Sequence, residues 1–431
     1  MKQMKPIKSL AALAALLTVV SCSENETIPG PDVDPAGGVA LGVTTGVLST
    51  NTKAVVEGET ITYTAADYTA AAKGLGIVIV KKDDSGLYTP NNSTEYGEGV
   101  PVWFMGDAVG KGWKAISALG STFADAPAKP YYLTEEVGMV YAYYPYTKTF
   151  TGTKSADLEI TCPIQKTATI TIDASTVNNA DMTWDSGTNK WVSNTVAKGT
   201  SGRLIANADE TDYLYFDGTE RYVNNGRAAL TEPAGNGDAT NPGYTITLNM
   251  AHALSMVSFR IYNDGTLDGD GKFTKFEIKN ATGKTVLQTE GSAKMKLANG
   301  TISGLSAGGT QDAVSRTITG YTIPKEVKAG ETEDADHYIV QGTGTAAVTG
   351  AKVCRKVSAL AYPVATIGDG DLIAILTIDG KEYTVNIPSD AGAWAAGSNY
   401  LYTVRASRRA LDITEVTVTA WATEAGGDID I

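Results

Sequence analysis

LIAILTIDGKEYTVNI, residues 372–387, decides the fold class. Two runs rich in β-branched residues flank Asp379-Gly380, the mark of a β-hairpin with a tight turn. The same pattern of short strand and turn cluster recurs on both sides. Downstream come NYLYTVRA (399–406) and ITEVTVTAW (413–421); upstream come FTKFEIKN (273–280), YTIP (321–324) and the strongly ordered YTITLNMAHALSMVSFRIYND (244–264). DYLYFDG, ATITID, GMVYAYYPYTK closed by Pro145, and GLGIVIVKKDDSGLY with Asp84-Ser85-Gly86 at its turn extend the pattern towards the amino terminus. Helical signals reduce to AADYTAAAKG and AHALSM, one or two turns each. Many short strands with frequent turns predict an all-β chain of β-sandwiches with few short helices, not a parallel α/β sheet.

The amino terminus reads differently. Lys2, Lys5 and Lys8 precede the apolar run Leu10–Val20, which is too short for a bilayer that needs about 20 apolar residues but suits a signal peptide. Val19-Val20-Ser21-Cys22 resembles a lipobox, so Cys22 is expected to carry acyl chains, palmitate among them, each buried methylene adding about 0.8 kcal/mol of anchoring. Ser23-Glu24-Asn25-Glu26 resembles a surface-export signal, and residues 23–38 read as a flexible tether. VALGVTTGV then places Val39, Leu41, Val43, Thr45 and Val47 on one face of an extended segment, a half-buried first strand. The loop STNTKAVVEGE follows, with Lys53 in its middle.

Composition excludes several classes. Taking the three lysines of residues 1–21 from the 35 basic residues leaves 32 against 48 acidic ones, a net charge of −16. Such a surface repels nucleic acid and anionic membranes. Tyr outnumbers Phe by 21 to 7, which predicts rings packed on sheets with their hydroxyls in water. With Cys22 lipidated, Cys162 and Cys354 remain, in no metal spacing, and are expected as two buried thiols rather than a disulfide.

No catalytic constellation emerges, and no cofactor is called for. His252 lies in an apolar stretch and reads as a core or edge histidine; neither it nor His337 sits in a metal or triad pattern. There is no P-loop, no dinucleotide fingerprint and no nucleophile elbow. NDGTLDGDGK, with Asp264, Asp268 and Asp270, lacks the twelfth-position Glu of a calcium loop and reads as a polar hairpin turn. Trp103, Trp113, Trp184 and Trp191 would make a glycan platform only if exposed, and are expected to pack.

Taken in order, several stretches resemble the fimbrillin family, the subunits of type V pili. They are the lipobox at Cys22, TKAV (52–55), VYAYYPYTK followed by LEITCPIQ, DYLYFDG, ITLNMAHALSMVSFRIYN, WAAGSNYLYTV and EVTVTAW. The resemblance implies two tandem transthyretin-like sandwiches and a surface lipoprotein trimmed after a basic residue. Removing the first strand opens a groove that a neighbouring subunit's strand fills, with main-chain hydrogen bonds completing the ladder. Here the removable strand would carry Val39, Leu41, Val43 and Val47, and the cut would fall between Lys53 and Ala54. The family's site is usually arginine, so lysine is a departure. Ile413, Val416, Val418 and Trp421 would form a carboxy-terminal donor or closing strand. The ten residues after Trp421 are short for a free donor, which points to a tip or accessory subunit.

The expected organisation is a signal peptide over 1–21, tether and removable strand over 22–53, and sandwiches over 54–210 and 211–431. The expected role is a non-enzymatic fimbrial subunit at the outer membrane and cell surface of a Gram-negative bacterium, partnered by other pilus subunits and supporting adhesion. The alternative is a stand-alone surface lipoprotein that binds glycan or host protein through its sandwich loops.

Overall fold

The computed structural model describes residues 38–45, 75–96, 102–106, 113–116, 130–147, 149–172, 182–185, 190–193, 205–206, 208, 210–218, 221–226, 242–306, 312–323, 325–326, 337–338, 356–389 and 392–420. Strands dominate, and the one α-helical turn among these residues is Ser93–Tyr96. The chain is all-β.

The hairpin of residues 372–387 forms as its sequence predicts. Leu372–Ile378 pairs antiparallel with Lys381–Asn386, Ile378 opposite Lys381. Asp379 and Gly380, the two residues between them, have φ of 50° and 75°. Two consecutive positive φ values are those of the turn whose twist matches a hairpin, which is why Asp-Gly stands there. Asp379 also accepts hydrogen bonds from the Gly271 and Lys272 amides at 2.9 and 2.8 Å, tying the turn to the adjacent loop.

This hairpin belongs to a five-stranded sheet ordered 381–386, 372–378, 273–280, 313–319, 167–171. Facing it is a seven-stranded sheet in which Ser255–Asn263 pairs antiparallel with Lys356–Ala361 and parallel with Ser398–Ala406, and the latter pairs with Leu411–Ala420. Leu372, Ala374, Leu376 and Ile378, at every second position, meet Val257, Phe259, Ile261 and Tyr402 in one core. Burying one such aliphatic side chain contributes about 1.5–3 kcal/mol. Ser255–Asn263 is buried at all nine positions. Its second face sets Ser258 against Asn399 at 2.8 Å and Arg260 against Thr403 at 2.8 Å, so the buried polar groups are bonded.

A second core lies against a nine-stranded sheet. Its order is Thr245–Leu248, Gly42–Thr45, Trp113–Ile116, Val102–Gly106, Leu75–Lys81, Gly138–Tyr144, Leu214–Phe216, Met250–His252, with Tyr222–Val223 also on Gly138–Tyr144. The first and last strands of that path are separated by Asn249 alone. One segment therefore serves both ends, and the layer wraps around Leu41, Val43, Leu75, Ile77, Val140 and Phe216. The central strands are buried on both faces: Val78, Val80, Met139 and Tyr141 point away from that core into a third cluster. There they meet Leu158, Ile160, Ala293 and Met295 of a three-stranded sheet.

Strands 214–216, 222–223, 245–248 and 250–252 lie in the nine-stranded sheet with strands of the first half. Conversely, Thr167–Thr171 and Glu159–Thr161 pair with strands of the second half. Three sequence expectations change. AHALSM is not helical: it ends one strand, bends at Ala253-Leu254 and begins the next, because both neighbours already lie in sheets. The Asp264–Gly271 stretch is no hairpin turn, since the strands it joins lie in opposite layers. The tyrosines are mostly sealed rather than half-wet. Tyr143 donates to the Thr147 carbonyl at 2.6 Å, Tyr362 donates to that of Cys162 at 3.0 Å, and Tyr402 accepts from the Trp394 indole at 2.9 Å.

Candidate strand-exchange site

The site is the seat of the first strand. Val39–Ala40 pairs antiparallel with Tyr132–Leu133. Gly42–Thr45 runs parallel to Thr245–Leu248, and Val43 stands opposite Trp113 of an antiparallel neighbour. The Leu41 amide donates to the Tyr131 carbonyl and the Gly42 amide to the Tyr244 carbonyl, both at 2.8 Å. Val39, Leu41 and Val43 are buried at 1%, 5% and 4% exposure, while Ala40 and Gly42 between them are half-buried. The predicted alternation is thus realised over 39–43.

Gly42–Thr45 is not a decorative edge. It lies between Thr245–Leu248 and Trp113–Ile116, and Thr245–Leu248 pairs with no other strand among the described residues. Withdrawing the first strand breaks the wrapped layer at that point. It uncovers Ile246 and Leu248 and strips two neighbours of ladder partners. Unpaired backbone groups and empty apolar pockets together make a receptor for another extended segment.

Of the other predicted site residues, Cys22, Val47, Lys53, Ala54 and Trp421 lie outside the described residues, as does Cys354. Cys162 is buried and unpaired, and burial pushes its thiol up to about 12. Ile413, Val416 and Val418 lie on Leu411–Ala420, which pairs along its length with Ser398–Ala406. Ile413 and Val416 pack against the core between the five- and seven-stranded sheets, whereas Val418 is 47% exposed. Leu411, Ile413 and Val416 with Val385 and Pro388 of the facing sheet line a cleft of about 460 Å³ between the two layers. In the antiparallel pair of Met182–Asp185 and Lys190–Ser193, Trp184 and Trp191 hold opposite register positions.

His252 is a half-buried edge histidine whose Nδ1 lies 2.7 Å from the Asp212 carboxylate. Nearby, sequence reading missed an ion pair sealed from solvent: Arg316 with Glu210. Glu210 also accepts from the Leu360 amide at 2.9 Å, and Arg316 donates to the carbonyls of Gln165 and Ser315. Burial holds the Arg316 guanidinium down at about 10. Nothing local marks these residues in the sequence, because Glu210 and Arg316 meet only through tertiary folding. Among the described residues, no group of three or more His, Cys, Asp or Glu is placed to hold a metal.

Residues 230–421 match the profile of the fimbrillin-like family. Among solved structures, a proposed cell adhesion protein from Bacteroides uniformis is 16% identical; the match covers 90% of this chain and 99% of that one at a TM-score of 0.43. A second from Bacteroides ovatus is 14% identical with the same coverage and a TM-score of 0.44. The C-terminally truncated tip fimbrial protein Mfa3 from Porphyromonas gingivalis is 10% identical, covering 83% of this chain and 96% of that one at a TM-score of 0.30. No curated protein matches. The span similar to that family, residues 230–421, takes in Thr245–Leu248, which flanks the first strand, and Leu411–Ala420.

Proposed function

We propose that this protein is a surface fimbrial subunit, structural or at the tip, that supports adhesion and has no catalytic role. It is exported as a lipoprotein acylated at Cys22 and anchored in the outer membrane. A protease cuts after Lys53, residues 22–53 are released with the strand that carries Val39, Leu41, Val43 and Val47, and an extended segment of another subunit takes its place. The observation that supports this most directly is the seat of the first strand: an interior position in its sheet, held by two neighbours, with Val39, Leu41 and Val43 in the core. A strand placed there leaves a groove with both hydrogen-bonding edges and apolar pockets, the two requirements of strand addition.

The carboxy-terminal strand supports a tip or accessory position. Leu411–Ala420 is fully committed to its own sheet through Ser398–Ala406. A subunit whose last strand closes its own sandwich can accept a strand without donating that one.

Intact mass and amino-terminal sequencing of protein sheared from native cells test the proposal. A chain beginning at Ala54, found in an assembly with other subunits, is the expected result. A chain still beginning at acylated Cys22 overturns the polymer reading in favour of a stand-alone surface lipoprotein that binds glycan or host protein.

A further inference from the structure

The first strand has a second periodicity. Alternating with Val39, Leu41 and Val43 stand Gly38, Ala40 and Gly42, the smallest residues available. Neither glycine has a positive φ, so backbone conformation does not explain them. Space does. A Cβ at Gly38 would lie 2.9 Å from the Tyr132 Cβ and 2.9 Å from the Asn91 side-chain nitrogen. Tyr132 Cβ is fixed to a paired strand and cannot swing away. A Cβ at Gly42 would lie 2.6 Å from the Thr245 methyl and 3.4 Å from its Cβ. The seat is deep and apolar on one face and closed by Tyr132, Asn91 and Thr245 on the other.

We infer that this closed face is a sequence filter on whatever segment fills the groove. The inference rests on the strand-exchange reading and adds the chemistry of the partner. The occupant is an extended segment of another subunit with aliphatic residues at three alternate positions, and with glycine opposite Thr245 and glycine again four residues before it. The chain's own strand 411–420 does not meet that description. Setting Val416 and Val418 in the apolar pockets puts Glu415, Thr417 and Thr419 against the closed face. Overfilling a packed site costs about 1–3 kcal/mol, or roughly fivefold to 150-fold in affinity. The groove therefore selects against a second copy's 411–420 strand and for a different subunit. Thr245 is a specificity-determining residue of that choice.

The test uses the full mature chain with residues 50–53 replaced by a single-site protease sequence. It is cut and incubated with fluorescein-labelled peptides, with exchange read by anisotropy. The peptides are residues 38–47 (GVALGVTTGV), the same peptide carrying Gly42→Val, and residues 411–420 (LDITEVTVTA). Capture of the native peptide, with binding of the other two weaker by about fivefold or more, is the expected result. In the Thr245→Ala chain, a Gly42→Ala peptide is expected to bind as well as the native one, which a merely structural threonine would not produce. Equal binding of the native and Gly42→Val peptides overturns the filter and leaves strand exchange standing. No capture of the native peptide by the cut chain overturns strand exchange, and the filter falls with it.

Discussion

Val43 and Ile246 stand side by side in a parallel pair, and both point into the core that the nine-stranded sheet wraps. One belongs to the first described strand, the other to the segment that forms both ends of the sheet path. The pair joins the start of the fold to the end of its amino-terminal half. The strand proposed to leave is therefore part of the closure itself.

Truncating Leu41, buried at 5% exposure, tests how much that strand contributes. Leu41→Ala is expected to lower the unfolding free energy by about 2–4 kcal/mol through lost transfer and a residual cavity. Urea unfolding of the intact chain measures it. An effect within about 0.5 kcal/mol, as for a surface site, would show that the strand is not seated in the core.

Glu210 and Arg316 link a segment from the first half to the five-stranded sheet. Arg316→Met alone leaves a buried carboxylate and is expected to cost about 3–5 kcal/mol. Pairing it with Glu210→Leu removes both charges and should restore most of that loss, although the Leu360 amide then loses its acceptor. Thermal melts of the two single variants and the double variant read the coupling. Strict additivity would dissolve the link.

Cys162 is expected to behave as an inert hydrophobe. Its thiol titrates near 12, so raising the pH from neutral to about 9 leaves it almost wholly protonated, and the thiolate is the reacting form. Ellman's reagent should label it at a significant rate only after denaturation. Rapid native labelling at pH 9, assigned to Cys162 by peptide mapping, would contradict its sealed position.

Asp379 combines a positive φ with two bonds to the 271–272 backbone. Asp379→Asn tolerates that conformation and keeps one acceptor oxygen; Asp379→Val tolerates neither demand. Valine is expected to cost about 2–4 kcal/mol from strain and two orphaned amides, and asparagine about 1 kcal/mol or less. Equal melting temperatures for the two variants would argue against the turn.

Period-two alternation made the strands at 39–43, 273–280 and 372–386 readable, because in a strand it directly reports which side chains face a core. The Asp-Gly turn was readable because few residue pairs accept two positive φ values. The alternation of Gly38, Ala40 and Gly42 was equally visible, but its meaning was not. What crowds those positions is Tyr132 and Thr245, brought there from far along the chain. Tyrosine was misjudged for a related reason: a phenol belongs at the surface only while its hydroxyl lacks an internal partner, and Thr147 and Cys162 supply carbonyls.

Local pattern by itself determined that this chain is built from strands, where most of them turn, and which face of the first strand is apolar. Those properties depend on neighbours within a few residues. Tertiary structure alone decided that Thr245–Leu248 sits beside Gly42–Thr45, that Thr167–Thr171 joins the second half, and that Arg316 is sealed against Glu210. A strand's hydrogen-bonding edges accept any extended partner, so the choice among partners falls to the packing of whole layers.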